Sequence, residues 1–336
     1  MPSTSDEKLA ASYNGSKVLI AGGLGMIGSN LARRLVGLGA HVTILDAMLS
    51  PYGGNYFNVS DVRERLEIRI GDIRNESLLS SVLPGVDYLF SLAAQVSYTD
   101  SNLDPLNDLD INCRGQLLIL EALRKHNRNA RVLFAGSRMQ YGPVESTPVT
   151  ENTGAHPLSI YALHKFAGEY YHRIYHNLHG LRTVTVRITN PYGPRSQMKH
   201  SKYSLINWFI RTAMESKEIC IFGEGSQIRD YIFVDDIVDG MLAAAAVECL
   251  RGQAYNLGSG VGTRFVSMVE TVLRVVGGGT SRFVPWPRDY EFIETGDFVA
   301  DIALLKAETG WKPSVDLDEG VRRTFEYYKE HRANYW

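Results

Sequence analysis

One short stretch constrains this chain more than any other. Lys17-Val-Leu-Ile-Ala21 reads as a buried strand and runs directly into Gly22-Gly-Leu-Gly25-Met26-Ile27-Gly28. From Ile27 the apolar residues Leu31, Leu35 and Leu38 then recur at the spacing of one helix face. A glycine-rich turn between strand and helix lets the backbone double back tightly and approach a pyrophosphate. The charge of that group is met by free N–H groups and the positive end of the helix dipole. Asp46 closes the next strand about twenty residues further on, where a carboxylate accepts hydrogen bonds from a ribose 2′-OH. No basic residue follows it before Arg63, so nothing nearby welcomes a 2′-phosphate, and the expected cofactor is NAD rather than NADP. Asp72, in Gly71-Asp-Ile73 after a third strand, either faces the adenine or caps its own loop.

The alternation continues. His41–Leu45, Val86–Phe90, Arg131–Ala135 and Thr183–Arg187 read as further strands, with helical patterns such as Leu117, Leu120 and Leu123 between them. That rhythm predicts an α/β fold, a Rossmann-type doubly wound parallel sheet covered by helices. After Arg187 the chain turns to loops rich in Pro and Gly, broken by helices near 203–214, 236–246 and 266–276 and a last one near 317–330. The Gly310 and Pro313 of Thr309-Gly-Trp-Lys-Pro313 stop a helix before it. We read residues 1–16 as a polar N-terminal tail and 17–187 as the dinucleotide domain, which also takes later segments near 232–258. Residues 188–336 form mainly a smaller, discontinuous C-terminal lobe that binds substrate.

Composition narrows the class. Of 336 residues 44% are hydrophobic and 21% charged, enough to bury a core, and the length suits about two domains. A net charge of −2 argues against nucleic acid or an anionic membrane held by bulk charge. The longest apolar run, Val18–Gly28, is about half of what a membrane span needs, and residues 1–16 have no apolar signal core. Cys113, Cys220 and Cys249, odd in number and without C-x-x-C spacing, suit reduced thiols in the cytoplasm rather than a disulfide framework or a zinc site. His172 and His176, near His164 and His179, share a helix face with no carboxylate to complete a metal pattern, so a wet polar face is expected and no metal. Asp235 and Asp236 precede an apolar helical run and read as an N-cap and a first-turn charge.

Chemistry enters with Tyr161-Ala-Leu-His-Lys165, which sets a phenol and an ammonium one turn apart on a helix face. The cation is expected to favour the phenolate. Tyr-x-x-x-Lys is common by chance. It gains weight from Ser137 in Ala135-Gly-Ser-Arg-Met-Gln-Tyr141-Gly142, at the carboxyl end of a predicted strand, where doubly wound folds place ligands.

At these residues the chain resembles the extended short-chain dehydrogenase/reductase family, and within it the nucleotide-sugar epimerases of the UDP-galactose 4-epimerase type. The likeness runs from Lys17 to Glu330. It includes Leu92-Ala93-Ala94, Asn112, Arg187-Ile-Thr-Asn-Pro-Tyr-Gly-Pro194 and Phe222-Gly-Glu-Gly-Ser-Gln-Ile-Arg-Asp-Tyr-Ile-Phe-Val-Asp-Asp236 as well as the motifs above. The resemblance implies a Ser137/Tyr161/Lys165 site. Tyr161 would take the proton of a sugar 4-OH as hydride leaves C4 for NAD, Lys165 would hold the nicotinamide ribose and lower the Tyr161 pKa, and Ser137 would bond the same oxygen. It places Asp72, Ile73, Leu92, Ala93, Ala94 and Asn112 at the cofactor, and Asn190 and Arg229 at the diphosphate of a nucleoside-diphosphate sugar, UDP being the expected nucleotide. It also implies a homodimer through helices near Pro105–His126 and Ile160–His179.

Departures select the reaction. Relatives that dehydrate at C4–C6 or decarboxylate carry acids just after the Ser or Thr, whereas this chain has Arg138 and Met139 there. Arg138 either recognises an acidic or strongly polar substituent or is exposed or ion-paired. Arg229 either holds phosphate or pairs with Asp230 or Asp235. Lys199 and His200 either line the sugar–nucleotide cleft or belong to a solvated loop. The expected activity is therefore C4 epimerisation. A nucleotide-sugar reductase or dehydrogenase is the rival, a 4,6-dehydratase or decarboxylase is disfavoured, and an NAD-sensing scaffold has no need of all three catalytic groups.

Overall fold

The computed structural model describes residues 4–50 and 53–336. Its first half alternates β1 (Lys17–Ala21), β2 (His41–Asp46), β3 (Leu66–Ile70), β4 (Tyr88–Ser91), β5 (Arg131–Ser137) and β6 (Arg182–Ile188) with helices. Ahead of β1 lies α1 (Thr4–Tyr13). The helices that follow are α2 (Met26–Gly37), α3 (Glu76–Val82), α4 (Tyr98–Leu103), α5 (Pro105–Leu109), α6 (Gly115–His126) and α7 (Ile160–His179). The second half runs β7 (Asn190–Tyr192), α8 (Leu205–Met214), β8 (Glu218–Phe222), β9 (Ile228–Phe233), α9 (Val234–Ala246), β10 (Ala254–Leu257) and β11 (Gly262–Arg264). It ends with α10 (Phe265–Val276), β12 (Thr280–Val284), α11 (Arg288–Glu291), α12 (Ala303–Thr309) and α13 (Leu317–His331).

Seven strands form one sheet in the order β3-β2-β1-β4-β5-β6-β10, and every pairing in it is parallel. A parallel sheet needs cover on both faces, which is why its central strands read as near-continuous apolar runs. Successive residues of β1 show this: Val18 and Ile20 join one core with Leu31 and Leu35 of α2 and Ile237 and Met241 of α9. Leu19 and Ala21 join the opposite core with Leu79 of α3 and Ile119, Leu120 and Leu123 of α6. Burying each such side chain contributes about 1.5–3 kcal/mol. The strand order changes direction between β1 and β4, the switch point beyond whose carboxyl ends open α/β sheets bind ligands.

The second lobe has a three-stranded sheet, β11-β9-β7, and a parallel pair, β12-β8. Its own core gathers Ile206, Phe209 and Ile210 of α8, Met268 and Val272 of α10 and Val321 of α13, with Met26 and Ile27 packed against it. The glycine loop is thereby wedged between the lobes. Gly310 ends α12 at φ 76°, a left-handed cap that glycine adopts without strain.

One reading changes here. Residues 4–13, taken from composition as part of a polar tail, form α1, which buries Leu9 and Tyr13; the Tyr13 hydroxyl donates to the Leu242 carbonyl at 2.8 Å. Two apolar residues four apart hold this helix to α9, too few to stand out among its polar neighbours. Cys113, Cys220 and Cys249 are all free thiols. Among the described residues no helix is long and apolar enough to cross a membrane.

Candidate active site

A cavity of about 650 Å³ opens at the switch point, between the carboxyl ends of the sheet and the second lobe. Gly22, Gly25, Met26, Ile27 and Gly28 line its inner end. Gly22 has φ +82°, and a Cβ there would lie 2.7 Å from the Ala93 nitrogen; a Cβ on Gly28 would lie 2.3 Å from the Gly22 carbonyl oxygen. Only glycine permits this close packing, and the cradle it leaves at the start of α2 fits a dinucleotide pyrophosphate.

Asp46, Asp72, Ile73, Leu92, Ala93 and Ala94 continue the wall. The Asp46 carboxylate accepts from the Leu24 and Met48 backbone N–H groups at 3.0 and 2.9 Å, which fixes it at the end of β2. Asp72 accepts from the Arg74 Nε and Nη2 at 2.9 and 2.7 Å and from the Arg74 backbone at 2.8 Å. Arg74 thus holds its carboxyl below the usual range, and Asp72 caps its own loop while lining the cavity. Asn112 is not in the wall. It is buried, its Nδ2 donates to the Gln95 carbonyl at 2.9 Å and its Oδ1 accepts from the Gln95 N–H at 3.2 Å. A residue expected at the cofactor instead fixes the loop that follows Ala94.

Ser137, Tyr161 and Lys165 meet further along the same wall. Ser137 ends β5, where its Oγ accepts from the Met139 N–H at 3.2 Å and starts the turn Arg138–Tyr141. Ser159 caps α7 by accepting from the Ala162 N–H, which sets Tyr161 and Lys165 on the first turns facing β5. The Ser137 hydroxyl is near enough to the Tyr161 phenol to favour its ionised form, and the Lys165 Nζ lies 5.9 Å from the Tyr161 ring centre. Burial pushes Tyr161 up to about 12, against the pull of the Ser137 hydroxyl, and pushes Lys165 down to about 8, against the Asp108 charge. The expected lowering of the Tyr161 pKa is therefore not seen in the protein alone, where the cost of dehydrating a buried phenolate dominates. Asp108 is itself buried and bonded to the His164 Nδ1 at 2.6 Å.

At the outer end, Asn190, Arg138 and Arg229 line the cavity, whereas Lys199 and His200 do not. Lys199 is exposed, and His200 packs edge-on against Tyr203, so the loop after Arg195 presents Ser196, Gln197 and Ser201 instead. Arg229 is ion-paired with neither Asp230 nor Asp235. It pairs with Glu294 and donates to the Gly296 carbonyl at 2.6 Å, while Asp230 accepts from the Ser259, Gly260 and Ala300 N–H groups. Arg138 is not exposed, and among the described residues it is not ion-paired: it is 7% exposed and donates to the Thr295 hydroxyl at 3.0 Å and the Asn190 Oδ1 at 3.3 Å.

Several wall residues escape sequence reasoning: Tyr98, Thr189, Tyr231, Glu294 and Thr295, and the aromatic group Phe222, Trp286 and Tyr290. Thr189, Phe222 and Tyr231 lie inside motifs already noted. The 285–295 segment has no periodicity or motif to announce it.

Two readings of charged residues are corrected. His172 does not face water: it is buried, stacks on Phe134 at 4.9 Å, and burial lowers its pKa to about 3. The N-cap of α9 is Phe233, so Asp235 and Asp236 both fall in its first turn. Asp236 is buried and accepts from the Ser314 and Val315 N–H groups at 2.9 and 3.0 Å.

Residues 18–258 match the model of the NAD dependent epimerase/dehydratase family. The chain is 32% identical over 318 residues to a UDP-glucose 4-epimerase of Mycolicibacterium smegmatis, covering 93% of this chain and 98% of the relative. Among solved structures it resembles a UDP-N-acetylglucosamine 4-epimerase from Methanobrevibacter ruminantium in complex with UDP-N-acetylmuramic acid, with TM-score 0.87 and 27% identity, covering 95% of this chain and 99% of the other. It is about as similar to a dTDP-glucose 4,6-dehydratase from Streptomyces venezuelae with NAD bound, with TM-score 0.86 and 27% identity, covering 94% and 98%.

Proposed function

The chain belongs to the NAD dependent epimerase/dehydratase family, and from that premise we propose that it inverts C4 of a nucleoside-diphosphate hexose through a transient 4-keto sugar, with UDP the expected nucleotide. NAD, the cofactor of the family, supplies a reversible hydride acceptor when bound. Tyr161, as the phenolate that the Lys165 ammonium and the positive charge of the bound cofactor would favour, takes the proton of the 4-OH and later returns it. Ser137, beside that phenol, orients the same sugar oxygen. Lys165 holds its charge beside the phenol and is anchored by donating to the Ala135 carbonyl at 2.9 Å. Asn190 and Arg229 hold the nucleotide end, so that the keto sugar stays bound while its ring turns.

One observation supports this reading over dehydration and decarboxylation, namely where the acids of the cavity are engaged. Asp46 and Asp72 sit at strand ends in the dinucleotide half, bonded to backbone and to Arg74. Glu218 bonds Arg282, and Glu294 is paired with Arg229. Beside Ser137 and Tyr161 the wall offers Arg138 and Met139. A carboxylate free to move a second proton is missing from that place among the described residues, which favours return of hydride to C4. Asp46 likewise favours NAD retained through the cycle over exchange of a reduced phosphorylated cofactor.

A homodimer is part of the proposal. α4, α5 and α7 together expose Leu103 (82%), Leu106 (74%) and Leu178 (72%) with Leu109, Leu163, Tyr170 and Ile174, an apolar face suited to a second copy. The three free thiols suit a reducing cytoplasm. The activity is tested by incubating the protein with UDP-, dTDP-, GDP- and CDP-hexoses without added reductant. A new C4 stereoisomer is the expected product; a dehydrated or pentose product would reassign the reaction.

A further inference from the structure

The cavity wall next to Ser137 carries a cation that makes no ion pair among the described residues. Arg138 is 7% exposed, yet its hydrogen-bond partners, Thr295 and Asn190, are both neutral, and its guanidinium lies 5.3 Å over the Phe298 ring. No carboxylate within ion-pairing reach of it is found among the described residues; the nearby one, Glu294, is paired with Arg229. Burial and the Arg229 charge together push Arg138 down to about 10, so it remains a cation at neutral pH. A buried guanidinium left unpaired is costly, and a partner of opposite charge relieves that cost. The Tyr231 hydroxyl, buried in the same wall, has no hydrogen-bond partner among the described residues.

The missing partner is therefore an anion brought in by the ligand. It has two sources in a nucleotide sugar, the diphosphate and an acid on the sugar. Arg138 directly follows Ser137 at the end of β5, so its backbone starts beside the catalytic groups while its guanidinium reaches outward to Asn190 and Thr295, between the reacting end of the cavity and the nucleotide end. Arg229 and Asn190 stand on β9 and β7 of the second lobe. We propose that Arg138 is the specificity residue for a carboxylate carried by the sugar ring, and that the substrate class is a nucleoside-diphosphate hexuronate or a comparable acid-bearing hexose. This rests on the C4 epimerase reading and sharpens it.

The test titrates NAD-loaded protein by calorimetry with paired nucleotide-linked glucose and glucuronate carrying uridine, thymidine, cytidine or guanosine, and with each free nucleoside diphosphate. Product stereochemistry is followed in parallel. For the base that binds, the glucuronate should bind at least about tenfold more tightly than the glucose, the scale of one charge-assisted hydrogen bond. Arg138→Gln should collapse that ratio, and Arg138→Lys, which keeps the charge, should keep its sign. A general packing role for Arg138 would not move the ratio. Equal affinity for both sugars in the unsubstituted protein, no glucuronate binding with any base, or loss of free nucleoside diphosphate binding equal to the loss of glucuronate would overturn the proposal. Tight glucuronate binding without any C4 epimer would instead overturn the epimerase reading and leave the specificity assignment standing.

Discussion

The Lys165 ammonium donates to the carbonyl of Ala135 at 2.9 Å, two residues before Ser137 on β5. This bond ties the helix that carries Tyr161 to the strand that carries Ser137. The hydroxyl, phenol and ammonium are thus held by regular elements rather than by loops, an arrangement that limits misplacement of the reacting oxygen.

Replacing Tyr161 with Phe removes the proton acceptor and leaves the glycine cradle untouched. Turnover should fall by about 10²–10⁴ or more, while NAD affinity measured by calorimetry stays near that of the unsubstituted protein. Activity close to normal in Tyr161→Phe would remove the phenol from the mechanism.

Cofactor choice should follow the charge of Asp46. The protein should bind NAD more tightly than NADP, and Asp46→Asn, which keeps an oxygen for one of the Leu24 and Met48 N–H groups and loses the acceptor for the other, should narrow the gap by roughly tenfold, as expected for one charged hydrogen bond. Fluorescence or calorimetric titration of both cofactors reads this. An unchanged ratio would assign the selectivity elsewhere.

His172 gives a pH dependence of stability with a definite sign. Its folded pKa is lowered to about 3 from 6.5 by burial, so between those values the unfolded chain binds the extra proton. Stability should then fall as pH drops below about 6.5, by up to about 1.4 kcal/mol per pH unit from this residue. His172→Leu, which fills the same place on Phe134, should flatten that slope in denaturant titrations between pH 6 and 4. An identical slope in both proteins would mean that His172 is already protonated in the fold.

The apolar face on α4, α5 and α7 should be covered in solution. Leu106→Glu with Leu178→Glu should shift the sedimentation coefficient from dimer to monomer without loss of helix content. If the unsubstituted protein already sediments as a monomer, the face has another role.

Much of this was legible before any coordinates. The run Lys17–Gly28 carries its own instructions, since a buried parallel strand, a turn open only to glycine and an amphipathic helix each leave a local pattern. β1, with bounds Lys17–Ala21, coincides with the residues read from the sequence. The state of Arg138 was not legible, because its partners Thr295 and Asn190 lie 157 and 52 positions away and no local signal announces them. His172 misled for a related reason. Four-residue spacing of histidines marks a polar helix face, but Phe134 of β5 packs flat against this one and removes it from water. Asn112 shows how a motif residue can serve a site indirectly, through the Gln95 backbone.

The central claim is that hydride leaves and returns to the same sugar carbon, and a substrate deuterated at C4 tests it most directly. Incubated with the NAD-loaded protein and no added reductant, it should give an epimer still fully labelled at C4, with no sustained absorbance of reduced nicotinamide. Loss of deuterium to solvent, or consumption of reduced cofactor in proportion to product, would contradict the account.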